Sequence, residues 1–211
     1  MQKSITQQAI AQTSKELASR LLADGFRRQG VHLNRKMGDF FHSVHFQASQ
    51  WGTAAAGQFT INLYVSSPVM YEEWFGKPFP ANPASAQFPV NERIGWLLPD
   101  LCDYWWKVDE KTDIPALAVE VAEMATPAIR KFFSDYERNE ATLTMLRQGR
   151  YPKLGEYIGH VVHMLVAHSR GYREEAEAAG KKAVSGNEKN SAFSQRVFSL
   201  ARRLGLDLSA E

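Results

Sequence analysis

An α+β fold is predicted for this chain: an antiparallel sheet with helices covering one face, followed by a small C-terminal helical region. Three observations carry that prediction. Residues 40–66 alternate with period 2 over two long runs, consecutive strand-like runs are joined by short turns, and helical patterns occupy both the first twenty residues and everything after residue 113. Short turns between neighbouring strands require antiparallel pairing, because a parallel pair needs a long crossover.

The two long runs are the centre of the pattern. In the first, Phe40, His42, Val44, Phe46 and Ala48 alternate with Phe41, Ser43, His45, Gln47 and Ser49. In the second, Phe59, Ile61, Leu63 and Val65 alternate with Gln58, Thr60, Asn62, Tyr64 and Ser66. One face of the pair therefore needs covering, and the other is a row of hydrogen-bonding side chains.

The remaining elements follow in order. Ser4 to Ala23 places Ile10, Leu17 and Leu21 on one side of an amphipathic helix that Asp24-Gly25 ends. Phe26–Arg28 and Val31–Lys36 form a short strand pair about Gln29-Gly30, and Met37-Gly38-Asp39 turns into the long strands. Residues 68–92 hold five of the nine prolines together with Tyr71, Trp74, Phe75, Phe79 and Phe88, which reads as a long ordered loop. Strands are expected at Arg93–Leu98 and Tyr104–Val108, the second with Trp105 and Trp106 on opposite faces. Helices are expected at Ile114–Ala125, Pro127–Tyr136 and Asn139–Arg147, which with the first helix would cover the apolar sheet face.

A boundary at Gly149–Pro152 divides an α+β domain, 1–149, from a helical appendage, 150–211. The appendage has helices at Leu154–His168, Tyr172–Val184 and about Ser191–Leu204. Its first two resemble one helix-turn-helix unit of the tetratricopeptide type, with Ala176, Ala179 and Ala183 spaced along the second helix.

Composition narrows the function classes. The net charge is +2, spread as +4 over residues 1–67, −5 over 68–149 and +3 over 150–211, and no block is dense enough for a nucleic-acid footprint. No apolar run is long enough to cross a bilayer, and Met1–Ala11 is polar without a signal-peptide core, so a cytoplasmic location is expected. The only cysteine, Cys102, excludes an intramolecular disulfide and is expected to be a buried thiol.

Gly25-Phe26-Arg27-Arg28, Phe46-Gln47-Ala48-Ser49-Gln50-Trp51-Gly52, Phe59-Thr60-Ile61-Asn62-Leu63, Arg93-Ile94-Gly95 and Trp105-Trp106 together resemble a bacterial family known only as a domain of unknown function. The resemblance spans roughly residues 14–147. It implies an α+β fold and carries no catalytic residues over. The family pattern favours glycine after the Asn-Leu pair, where this chain has Tyr64.

The candidate site is the polar sheet face: His45, Gln47 and Ser49 on one strand and Thr60, Asn62 and Tyr64 on the next, with Trp51 and Arg93 beside them. Amides and hydroxyls with an arginine and a tryptophan suit recognition of a partner or ligand; the competing readings are a solvated half-buried sheet and, last, catalysis. Ser49 and His45 share a face but stand about 13 Å apart along it, too far for a nucleophile and its base. His160 and His163 fall on one helix face, but their helix supplies only Glu156 as a carboxylate, so helix histidines at an interface are expected rather than a metal site. No catalytic residue, metal or cofactor is expected.

The leading expectation is a non-catalytic module that binds another protein, with a toxin-neutralising immunity or defence role the first to test. The alternative is an enzyme or a nucleotide- or anion-binding domain that uses the polar face with Arg93 as anchor. A third reading is a nucleic-acid contact through the basic ends.

Overall fold

The computed structural model of the chain describes residues 3–136, 139–150, 156–185 and 191–209. The described residues form two compact units, one drawn from 1–66 and 80–134 and the other from 67–79 and 135–211. The expected break at Gly149–Pro152 and the helix start at Leu154 reach residues outside the described ones.

In the first unit, helix α1 (Ile5–Arg20) begins with a capping box. The Ser4 hydroxyl accepts from the Gln7 N–H at 3.3 Å, and Gln7 Oε1 accepts from the Ser4 N–H at 3.1 Å. Strands β1 (Arg27–Gln29), β2 (His32–Met37), β3 (Phe40–Ala48) and β4 (Ala56–Ser66) then pair antiparallel in sequence order. Strands β5 (Pro89–Arg93) and β6 (Trp106–Asp109) both pair with β4, β5 along residues 62–66 and β6 along residues 56–59. The β3–β4 register sets Val44 opposite Leu63 and Phe46 opposite Ile61, which builds the apolar face.

That face is covered by α1 and by α3 (Ile114–Ser134). Phe133 lies 5.5 Å from the Phe26 ring and stacks on His42 at 4.6 Å, while Leu17 and Ile129 are fully buried. Helix α3 is continuous where two helices were expected. Pro127 and Glu123 are both exposed, so the missing N–H falls on the solvent side. The buried stripe of Val121, Ala122, Ala125 and Ile129 runs unbroken past it.

Two further expectations are corrected. Residues 68–92 are not one loop: they contain helix α2 (Pro68–Phe75), a 3₁₀ turn (Pro83–Ser85) and β5. Ser67 caps α2, Pro68 occupies its first turn and Gly76, at φ +64°, ends it; Pro83 likewise opens the 3₁₀ turn, so these two prolines sit at helix starts, which accept them. The strand expected at Arg93–Leu98 ends at Arg93, and Ile94–Leu97 is a 3₁₀ turn. At Gly95 a Cβ would meet the Cys102 carbonyl and would lie 2.6 Å from the Tyr104 nitrogen, so the backbone at 102–104 crosses directly over this residue.

The second unit is helical: α2 with α4 (Asn139–Arg147), α5 (Glu156–Ser169), α6 (Arg173–Val184) and α7 (Ala192–Arg203). Helix α4, expected to help cover the sheet, belongs to this second unit, where it packs on α5. The Arg196 guanidinium lies 4.6 Å from the Trp74 ring and donates to the Trp74 carbonyl at 2.9 Å, joining α7 to α2. Among the described residues no helix is long and apolar enough to cross a membrane.

Candidate functional site

The strand register assembles the polar face in rows. Ser43 stands opposite Tyr64, His45 opposite Asn62, and Gln47 opposite Thr60; on the other side of β4, Asn62 stands opposite Arg93. Beyond the last row, the Ser49 N–H donates to the Gln58 carbonyl at 2.9 Å, so the same face continues past the end of β3.

Gln47, Asn62 and Arg93 form one hydrogen-bonded cluster. The Asn62 amide donates to Gln47 Oε1 at 2.9 Å, and Arg93 donates to Asn62 Oδ1 and Gln47 Oε1 at 3.4 Å each. The strongest bond of the guanidinium goes to Asp103 Oδ1 at 2.6 Å, and that donation is the main reason the Asp103 carboxyl titrates below its ordinary value. Trp105 lies against the same guanidinium, 5.1 Å from ring to carbon, while Trp106 turns to the apolar side beside Phe59. The paired tryptophans therefore face opposite ways, as alternation requires.

His45 stacks on His32 with ring centroids 4.4 Å apart and planes 3° from parallel, and the Tyr64 ring lies 5.5 Å away. Burial lowers the His45 pKa to about 4, with repulsion from His32 adding to it; burial also raises the Tyr64 hydroxyl to about 12. Both groups are neutral at pH 7. The Nδ1 of His32 accepts from the Phe46 N–H at 3.3 Å, which fixes its ring.

The solvated face considered above is not what the fold builds. Thr60 is fully buried, and Asn62 and Tyr64 are 5% and 3% exposed. Residues 80–105 fold back over them: the Thr60 hydroxyl donates to the Tyr104 carbonyl at 2.9 Å, and the Asn34 amide reaches Asn82 Oδ1 at 3.4 Å while its own Oδ1 accepts from Ser43. His32, Asn34, Asn82 and Asp103 thus join the site unannounced. Alternation along β2 would have placed His32 and Asn34 on this face, but nothing local marks Asn82 or Asp103 as its partners.

Ser49 and Trp51 stand apart from the buried rows. They line an open groove of about 510 Å³ whose floor includes Gln58, Lys107 and Val108. Trp51 is 85% exposed, the most exposed large apolar side chain among the described residues, and its backbone N–H donates to Ser49 Oγ at 3.3 Å. Ala56 and Gly57 of β4 also line it, as do Asp109 and Thr112, whose turn is held by the Asp109 N–H donating to Thr112 Oγ1 at 2.9 Å.

Cys102 is exposed rather than buried, because the segment over Gly95 carries it outward. In the helical unit, His163 finds the carboxylate its own helix lacks: Nε2 lies 2.7 Å from Glu175 Oε1 on α6, and Arg147 of α4 holds the same carboxylate. His160 is buried.

Searches of curated proteins and of solved structures found no significant match. The family model described as "Domain of unknown function (DUF4304)" matches residues 17–135, which include α2, α3 and every strand among the described residues. The chain therefore belongs to the DUF4304 family, and the candidate face and groove lie within the matched segment.

Proposed function

We propose that the chain is a non-catalytic module that binds another protein, and that the groove beside Trp51 is where the partner docks. The observation that carries the reading is the 85% exposure of Trp51 at an open groove. An indole left in water at a concave surface gains most when a partner covers it, and tryptophan is enriched among residues that dominate binding energy. The rows behind the groove support recognition as well. Arg93 is committed to Asp103, Asn62 and Gln47, and His45 is neutral, so these groups act as a rigid, hydrogen-bonded backing.

Within that reading, the first partner class to test is a protein toxin neutralised by occlusion, since neutralisation needs a shaped surface and no chemistry. The reading places the module in the cytoplasm, where an exposed Cys102 thiol stays reduced.

The test is affinity purification of the tagged full chain from its native cells, beside a Trp51→Ala variant whose melting curve matches the parent. One stoichiometric protein present with the parent and missing with the variant is the expected result. A partner retained equally by Trp51→Ala overturns the groove as the docking site.

A further inference from the structure

The end of α2 gathers three aromatic rings around a cation that the chain itself supplies. Tyr71 and Phe75 stand one helical turn apart, with ring centroids 4.6 Å apart and planes 46° from parallel. Gly76 then turns the chain back, and the Phe79 N–H donates to Glu72 Oε1 at 3.1 Å, which folds residues 77–79 against the helix. That fold sets the Phe79 ring at 87° to Tyr71, 5.5 Å away, and carries the Lys77 ammonium over Tyr71 at 5.6 Å and over Phe75 at 5.4 Å. Tyr71 is buried and Phe75 and Phe79 are half-buried, so the rings form a packed wall, while Lys77 is exposed.

Charge and spacing decide what such a box holds. The two ring faces, the Glu72 carboxylate and the C-terminal end of α2 all favour a positive group. A methyl carbon meets ring carbons at about 3.5–4.0 Å with its nitrogen a bond length behind, so a methylated nitrogen rests roughly 5 Å from a ring. The Lys77 nitrogen, at 5.4 and 5.6 Å from the two centroids, already keeps that stand-off.

We propose that Tyr71, Phe75 and Phe79 form a binding site for a quaternary ammonium group, with Lys77 as its stand-in occupant. The lysine is not the site. Its ammonium sits on a flexible stem and regains full hydration on leaving, whereas a quaternary cation has no N–H groups to leave unpaired on the rings. Arg196 also faces Phe75, at 5.3 Å, but its guanidinium is anchored on the Trp74 carbonyl and stays in place. The site uses only residues 71–79 and does not depend on docking beside Trp51.

The test titrates the full chain, with labelled aromatic rings, with tetramethylammonium, with choline and with 3,3-dimethylbutan-1-ol, the neutral carbon isostere of choline. The Tyr71 ring signals are followed. Both cations are expected to shift them at millimolar concentration, with the isostere weaker by roughly tenfold. Lys77→Ala, a change at an exposed position, removes the competitor and should tighten both cations several-fold. Phe75→Leu keeps an apolar side chain without a ring face and should weaken them by roughly three- to tenfold. A trimethyl-lysine peptide run beside choline separates the sources: tighter binding of the peptide assigns the group to a protein partner, tighter binding of choline to a small molecule. Equal affinity for choline and its isostere overturns the proposal, because the rings then hold an apolar group and not a cation. Signals that stay unmoved by tetramethylammonium in Lys77→Ala, with the melting curve of the parent retained, overturn it as well.

Discussion

The imidazoles of His32 and His45 lie parallel, 4.4 Å apart, on a sheet face that the chain covers with its own residues 80–105. Two rings in that arrangement cannot both carry a proton without mutual repulsion, and burial disfavours the first proton as well.

This stacked pair makes the fold acid-sensitive in a defined window. His45 titrates at about 4 in the folded chain, against an ordinary value of 6.5, so below pH 6.5 the unfolded chain takes up the proton first. The stabilising contribution is complete above pH 6.5 and fades as pH falls toward 4. Because the ring is only partly shielded, the loss by pH 5 is on the order of 1 kcal/mol. Denaturant melts of the parent and of His45→Phe at pH 7.5 and pH 5 check this: the parent should lose more stability between the two than the variant.

Gly95→Ala should lower stability by about 1–3 kcal/mol through overpacking. The new methyl would press on backbone atoms of residues 102 and 104, which cannot move without opening the turn that carries Cys102 and Asp103. A thermal melt reads the loss, and faster alkylation of Cys102 would show that the crossing has loosened.

Arg93→Met removes the donor shared by Asp103, Asn62 and Gln47 and the cation beside Trp105. A cost of about 1–2 kcal/mol is expected, small because Asp103 is half exposed and can rehydrate. The Trp105 indole resonance should move, and Asp103 should titrate closer to its ordinary value, since the guanidinium is the main cause of its depression.

In the helical unit, Glu175 titrates at about 2, chiefly because Arg147 donates to both of its oxygens at 2.8 and 2.6 Å, with His163 adding to the effect. Its stabilising contribution is present above the usual glutamate value of 4.5 and is lost as pH falls toward 2. Glu175→Gln should cost about 1 kcal/mol, discounted for solvent reaching the pair, and should flatten the stability profile between pH 5 and pH 2. Chemical denaturation across that range measures it.

Local pattern was enough for much of this architecture. Alternation along residues 40–66 determined which side chains share a face, since a strand's period is a property of its backbone, and it put His45, Gln47, Thr60, Asn62 and Tyr64 together correctly. Turn chemistry at Gly30 and Gly38, both at positive φ, joined β1 to β2 and β2 to β3 as antiparallel neighbours. Helix patterning found α1 and α4 to α7 to within a few residues.

Long-range contacts decided the rest. Whether a polar face meets water depends on what folds over it, and Asn82, Asp103 and Tyr104 reach it from 10 to 48 residues away. The proline-rich stretch became a helix because Pro68 falls at a first turn, and that helix belongs to the second unit because Arg196 grips Trp74 across 122 residues. A hydrophobic pattern likewise records that Trp51 is apolar but not that the hairpin end leaves it in solvent; only the folded sheet, with β6 ending beside β4, opened the groove it borders.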